Sequence, residues 1–198
     1  MLLDILSWAS VGLILVTSVA LLISQSWQRS LLFLSLQYLG MFWLVSLHWP
    51  MTMAAVKLVT GWIAAAALGM SQPQSDQPTS KEDAWPQGRL FRLLAAGLVV
   101  LVVIASVPTV TDWLPSLHTL ETLGSLLLLS MGLLHLSVTA RPFRTILGLL
   151  TVLAGFETLY AAVENSIMVA AMLAVINLGL AMVGAYLLST PPREEASE

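Results

Sequence analysis

Seven apolar runs, each about as long as a helix that crosses a bilayer, govern what this chain can fold into. They lie near residues 5–24, 30–47, 51–70, 90–108, 119–138, 144–162 and 167–189. A hydrocarbon core about 30 Å thick takes about 20 apolar residues per helix. No water reaches backbone N–H and C=O groups there, so each run is expected to close its hydrogen bonds within itself as an α-helix. Charge content separates this reading from a soluble helical core. Charged residues make up 10% of the chain and hydrophobic ones 58%, whereas a soluble domain carries about 25% charged residues. The expected fold class is all-α, a polytopic membrane protein with about seven transmembrane helices.

The segment 71–88, SQPQSDQPTSKEDAWPQG, holds three prolines and no apolar run. It reads as a solvated cytoplasmic linker. It divides the chain into a three-helix front module, 1–70, and a four-helix back module, 89–190, with a polar tail at 191–198. Shorter breaks fall at Trp27-Gln28-Arg29, at His48-Trp49-Pro50, between Pro108 and Pro115, and at Glu164-Asn165-Ser166. Seven crossings put Arg29, Lys81, Arg89, Arg92, Arg141, Arg144 and Arg193 on one side, and Asp4, Asp112 and Glu164 on the other. The positive-inside rule then places the N-terminus out and the C-terminus in. Lys57, within the third run, is the one exception among the basic residues. No Lys or Arg precedes Arg29, so residues 1–24 are expected to be a retained helix; a signal peptide opens with a positive n-region.

Composition also narrows function. The chain has no cysteine, which excludes disulfides, thiolate metal sites and cysteine nucleophiles. Its formal net charge is −3, and three of its eleven acids fall in the last five residues; no basic patch points to nucleic acid. No His-x-x-x-His, paired-acid motif or glycine-rich phosphate loop is present. Neither an enzyme active site nor a metal or cofactor is expected.

The informative residues are the polar ones inside the runs. Lys57 and Glu157 each lie about 9 Å below the outer edge at about 1.5 Å per residue. A buried charge is costly and normally pairs or lines a hydrated path. The two are therefore expected to meet across the front and back modules. Lys57 has a second reading, in which its amine snorkels to the outer interface between Trp49 and Trp62. Glu157 is too short to reach water and reads as a paired or functional acid. His135, near the inner end of the fifth run, is either a packing histidine or a proton relay. Gln37 and Asn177 fit interhelical hydrogen bonds. His48 and His118 read as interfacial, and Glu121 suits the N-terminus of the fifth helix. Arg29, Arg141 and Arg144 mark the inner face. Gly61 with Ala64–Ala67, and Gly148, Gly155, Gly179 and Gly184, give the third, sixth and seventh runs smooth sides for close packing.

Spans 5–7 (119–189) combine an arginine turn (Thr139-Ala-Arg-Pro-Phe-Arg144), a helix with Gly-Phe-Glu157, a short outer turn and a last helix reading Asn177-Leu-Gly-Leu-Ala-Met. This part resembles the small K-type subunit of respiratory complex I and its relatives in Mrp-type sodium/proton antiporters, which carry a membrane glutamate after an arginine turn. The whole chain is similar to the longer hydrogenase-4 component E in the Arg29…Gln37 spacing, in Lys57 and in the polar linker. Glu157 sits deeper than the K-type glutamate, and Asn177 is the nearest polar residue where K-type subunits carry a second one. The resemblance implies a non-redox membrane-arm subunit of a complex I-like assembly in a prokaryotic plasma membrane or a thylakoid membrane. Its partners would be larger antiporter-like subunits. Glu157, with Lys57, Gln37, His135 and Asn177, would serve proton or sodium movement. The alternative is a structural or assembly subunit in which Lys57 and Glu157 only lock helices.

Overall fold

Each apolar run forms one α-helix: α1 (Leu2–Ile23), α2 (Trp27–Ser46), α3 (Met51–Met70), α4 (Pro86–Trp113), α5 (Thr119–Val138), α6 (Pro142–Val163) and α7 (Ile167–Ser189). The structure, a computed structural model, describes residues 2–72, 86–114, 117–139, 141–164 and 166–190. Among them all regular structure is helical. Most of the linker (73–85, with Lys81) and the tail (191–198, with Arg193) lie outside the described residues.

Among the described residues six helices are long and apolar enough to cross a membrane: α1 and α3 to α7. The helix left out is α2, whose apolar run is interrupted by Gln28, Arg29, Ser30, Ser35 and Gln37. It nevertheless packs against four neighbours, α1, α3, α5 and α6. The helices before the linker form one layer in the order α1–α2–α3, and those after it a second in the order α4–α5–α6–α7. The layers meet through α1 on α4 and α5, α2 on α5 and α6, and α3 on α7. One cluster of buried apolar side chains runs through both, from Ile14, Leu34 and Ala64 to Leu128, Leu147 and Ala181.

Several boundaries differ from the sequence expectation, and α4 begins at Pro86, within the expected linker. The first break is Ser24-Gln25-Ser26, and Trp27, Gln28 and Arg29 form the first turn of α2. Polar residues are tolerated there because the first N–H groups of a helix lack intrahelical partners in any case. Pro108 lies inside α4, which continues to Trp113. The Thr111 hydroxyl takes up backbone acceptors at that point, donating to Pro108 O at 2.9 Å and Val107 O at 3.1 Å. Pro142 opens α6 in its first turn, the position where its missing N–H costs least.

Small residues set the closest helix contact. A Cβ on Gly155 would lie 2.6 Å from the backbone nitrogen of Leu129, and one on Gly132 would lie 2.8 Å from that of Val152. Thus α5 and α6 touch backbone to backbone, as membrane helices do at small residues. Gly179, in contrast, faces open space.

Candidate functional site

Apolar helices of both layers bring polar groups together in the interior. Lys57 on α3 and Glu157 on α6, 100 residues apart in sequence, form an ion pair with Nζ donating to Oε1 at 2.7 Å. Their side chains are 2% and 1% exposed. The Lys57 amine also donates to the Ala170 carbonyl of α7 at 3.0 Å, so it ties three helices together. At 2% exposure it does not reach the interface, as the snorkelling alternative required. Glu157 Oε2 is buried and has no hydrogen-bond partner among the described residues.

Tyr38 lies next along the interior, close enough to Glu157 for the two to interact electrostatically. Its hydroxyl donates to Asn177 Oδ1 at 3.1 Å and accepts from Asn177 Nδ2 at 3.0 Å. Gly61 of α3 makes room for this ring: a Cβ there would fall into it. Gln37 points to other partners. Its Nε2 donates to Ser18 Oγ of α1 at 2.7 Å, and its Oε1 accepts from Thr151 Oγ1 of α6 at 3.3 Å.

One face of α6 accounts for this order. Arg144, Thr151 and Thr158 are spaced by seven residues and all buried, with Glu157 beside the last. Arg144 closes the series at one end of the bundle by donating from a terminal guanidinium nitrogen to the Ser24 carbonyl at 2.8 Å. Arg29 and Arg141 are exposed at that same end. His135 sits near it on α5, buried, with Nε2 unpartnered among the described residues and with Arg144 and Arg92 within electrostatic reach.

At the opposite end, Glu121 is 2% exposed. It pairs with His48 at 2.5 Å and accepts from the His118 backbone N–H at 3.3 Å. The His48 and His118 rings stack with centroids 6.1 Å apart. Trp49 Nε1 donates to the Glu164 carbonyl at 3.2 Å, tying the α2–α3 turn to the end of α6.

Of the expected pathway residues, Lys57 and Glu157 are in direct contact, and Asn177 bonds to Tyr38, which is within electrostatic reach of Glu157. Gln37 forms a separate cluster, and His135 bonds to none of the others through its Nε2. Sequence reasoning missed Tyr38, Ser18 and Thr151, and assigned Glu121 only a helix-end role. The available signals were a tyrosine directly after Gln37 and the Arg144/Thr151/Thr158 heptad. Among the described residues no group of three or more His, Asp or Glu side chains is placed to hold a metal ion.

Several long apolar helices around a fully buried lysine–glutamate pair define a multi-pass helical membrane protein. Compared with known proteins, the chain matches no family model, no curated protein and no solved structure.

Proposed function

We propose that the chain is a non-redox membrane-arm subunit of a complex I-like assembly: an NADH or ferredoxin dehydrogenase, a group 4 hydrogenase or an Mrp-type cation/proton antiporter. The observation that carries this reading is the Lys57–Glu157 pair, buried among apolar helices, with one carboxylate oxygen left without a partner. Ionisable groups at such depth mark ion or proton paths in membrane proteins. Glu157 is the group that takes up and gives back the ion or proton, and Lys57 is its charge partner. Tyr38 and Asn177 extend the polar surface inward from Glu157. Gln37, Thr151 and Ser18 form the next polar step, and His135 lies toward the arginine end. The resemblance in the arginine turn, in Glu157 and in Lys57 supports the choice of assembly.

In this reading all seven helices cross the membrane of a prokaryotic cell or a thylakoid, with the N-terminus out and the C-terminus in. The arginines clustered at one end of the bundle support that orientation. Larger antiporter-like subunits are the partners. Affinity purification of the tagged chain from its native membrane tests the assignment. Co-purifying antiporter-like subunits support it, and a stable solitary protein counts against it.

A structural or assembly role is the second reading. It is favoured by the way Lys57 ties α3 to both α6 and α7. Glu157→Gln in the assembled complex separates the two, because a purely structural subunit keeps ion translocation when the complex stays intact.

A further inference from the structure

A cleft of about 740 Å³ opens at the arginine end of the bundle, where the last turn of α1, the first turn of α2 and the start of α4 come together. Its polar wall includes Arg29 and Arg89, with Gln25, Ser26 and Gln28 between them. Its apolar wall is built by Ala20, Ile23 and Phe33. Arg89 donates from its guanidinium to Gln25 Oε1, another residue of the lining, at 2.7 Å. Ser26 is the N-cap residue of α2 but makes no side-chain cap bond. Its Oγ is buried with no hydrogen-bond partner among the described residues. Two arginines and an uncapped helix start therefore line one space, while the buried Ser26 hydroxyl is closed off from it.

That combination suits a phosphate, which accepts from guanidinium groups and from the free N–H groups of a helix start. What lies beside the cleft selects the kind of phosphate. Leu90, Phe91 and Leu94 of α4 follow Arg89 and are 60%, 64% and 67% exposed. A ligand with a charged head and long apolar chains fits both surfaces, and a free anion fits only the first. Basic pockets between helices at a membrane face take anionic headgroups in this way.

We infer that the cleft binds the phosphate headgroup of an anionic phospholipid, with the acyl chains lying along the exposed apolar face of α4. This site is separate from the Lys57–Glu157 pair and stands whether or not that pair moves ions.

The test is binding of phosphatidylglycerol to the purified full chain in detergent, read by native mass spectrometry and by thermal stabilisation. Phosphatidylcholine and inorganic phosphate are the comparison ligands. Each arginine is expected to contribute about fivefold to affinity, which corresponds to about 1 kcal/mol. Arg29→Gln and Arg89→Gln should each weaken phosphatidylglycerol binding by about that factor, and the double variant by about 25-fold. Arg141→Gln, at the same end but outside the cleft, should leave it unchanged. Arg89→Lys, which keeps the charge, should restore much of what Arg89→Gln loses and serves where the double variant fails to fold. Equal binding by the wild type and the Arg29→Gln and Arg89→Gln variants overturns the site. So does an equal loss on Arg141→Gln, which would mean that only overall charge matters. Stabilisation by inorganic phosphate as large as that by phosphatidylglycerol overturns the lipid assignment in favour of a free anion. Equal binding of phosphatidylcholine overturns the requirement for net negative charge.

Discussion

Lys57 reaches Glu157 across the bundle at 2.7 Å and, with the same amine, the Ala170 carbonyl at 3.0 Å. One cation thus joins helices from both layers at a depth where water is scarce. The energetic consequence is lopsided. A buried pair is worth little against a well-packed apolar substitute, but breaking it by removing one partner leaves an uncompensated charge and costs about 3–5 kcal/mol.

Lys57→Met alone should therefore destabilise the protein by about 3–5 kcal/mol, measured by reversible unfolding in mixed detergent micelles. Combining it with Glu157→Leu should cost clearly less than the two single losses added. Additive losses would mean that the two groups do not interact.

The Tyr38–Asn177 contact gives a smaller effect. Tyr38→Phe and Asn177→Leu should each cost about 0.6–2 kcal/mol. The pair together should cost little more than the larger single loss, since each removes the same hydrogen bonds.

Gly155 and Gly179 form a matched contrast within the last two helices. A Cβ at Gly155 meets the α5 backbone, and one at Gly179 meets nothing. Gly155→Val should destabilise by about 1–3 kcal/mol through overpacking, while Gly179→Ala should be nearly neutral. The same unfolding assay distinguishes them.

His48 hydrogen-bonds to Glu121, whose side chain is otherwise buried at the end opposite the arginines. His48→Ala leaves that acid without its side-chain partner and should cost about 1–3 kcal/mol. His48→Ala with Glu121→Gln should recover part of the loss.

The helices were legible because an apolar run of bilayer length has few other ways to satisfy its backbone. Lys57 and Glu157 were legible for a related reason: each is a lone charge in such a run, and counting residues put them at one depth. Tyr38 was not, because a tyrosine fits equally well at a membrane interface or in a core. Its burial is decided by Gly61 on another helix. Glu121 looked like an ordinary helix-start acid, and only folding brings His48 from the preceding layer onto it. Trp27-Gln28-Arg29 reads as a loop by polarity, yet it is the first turn of α2, where polar residues cost little. Gln37 and Asn177 were both expected to make interhelical bonds, but their partners Ser18, Thr151 and Tyr38 follow from the layer arrangement and not from spacing along either run.

The central claim is that Glu157 carries the ion or proton. The most direct test is cation or proton translocation by membrane vesicles containing the assembled complex with Glu157→Gln, with assembly checked by native gel electrophoresis. The substitution keeps the side chain's size and one hydrogen-bond acceptor for Lys57, and removes its ability to ionise. In the complex that assembles, translocation should fall at least about tenfold, corresponding to about 1.4 kcal/mol or more on the limiting barrier. A complex that assembles and still translocates at the wild-type rate would contradict the claim.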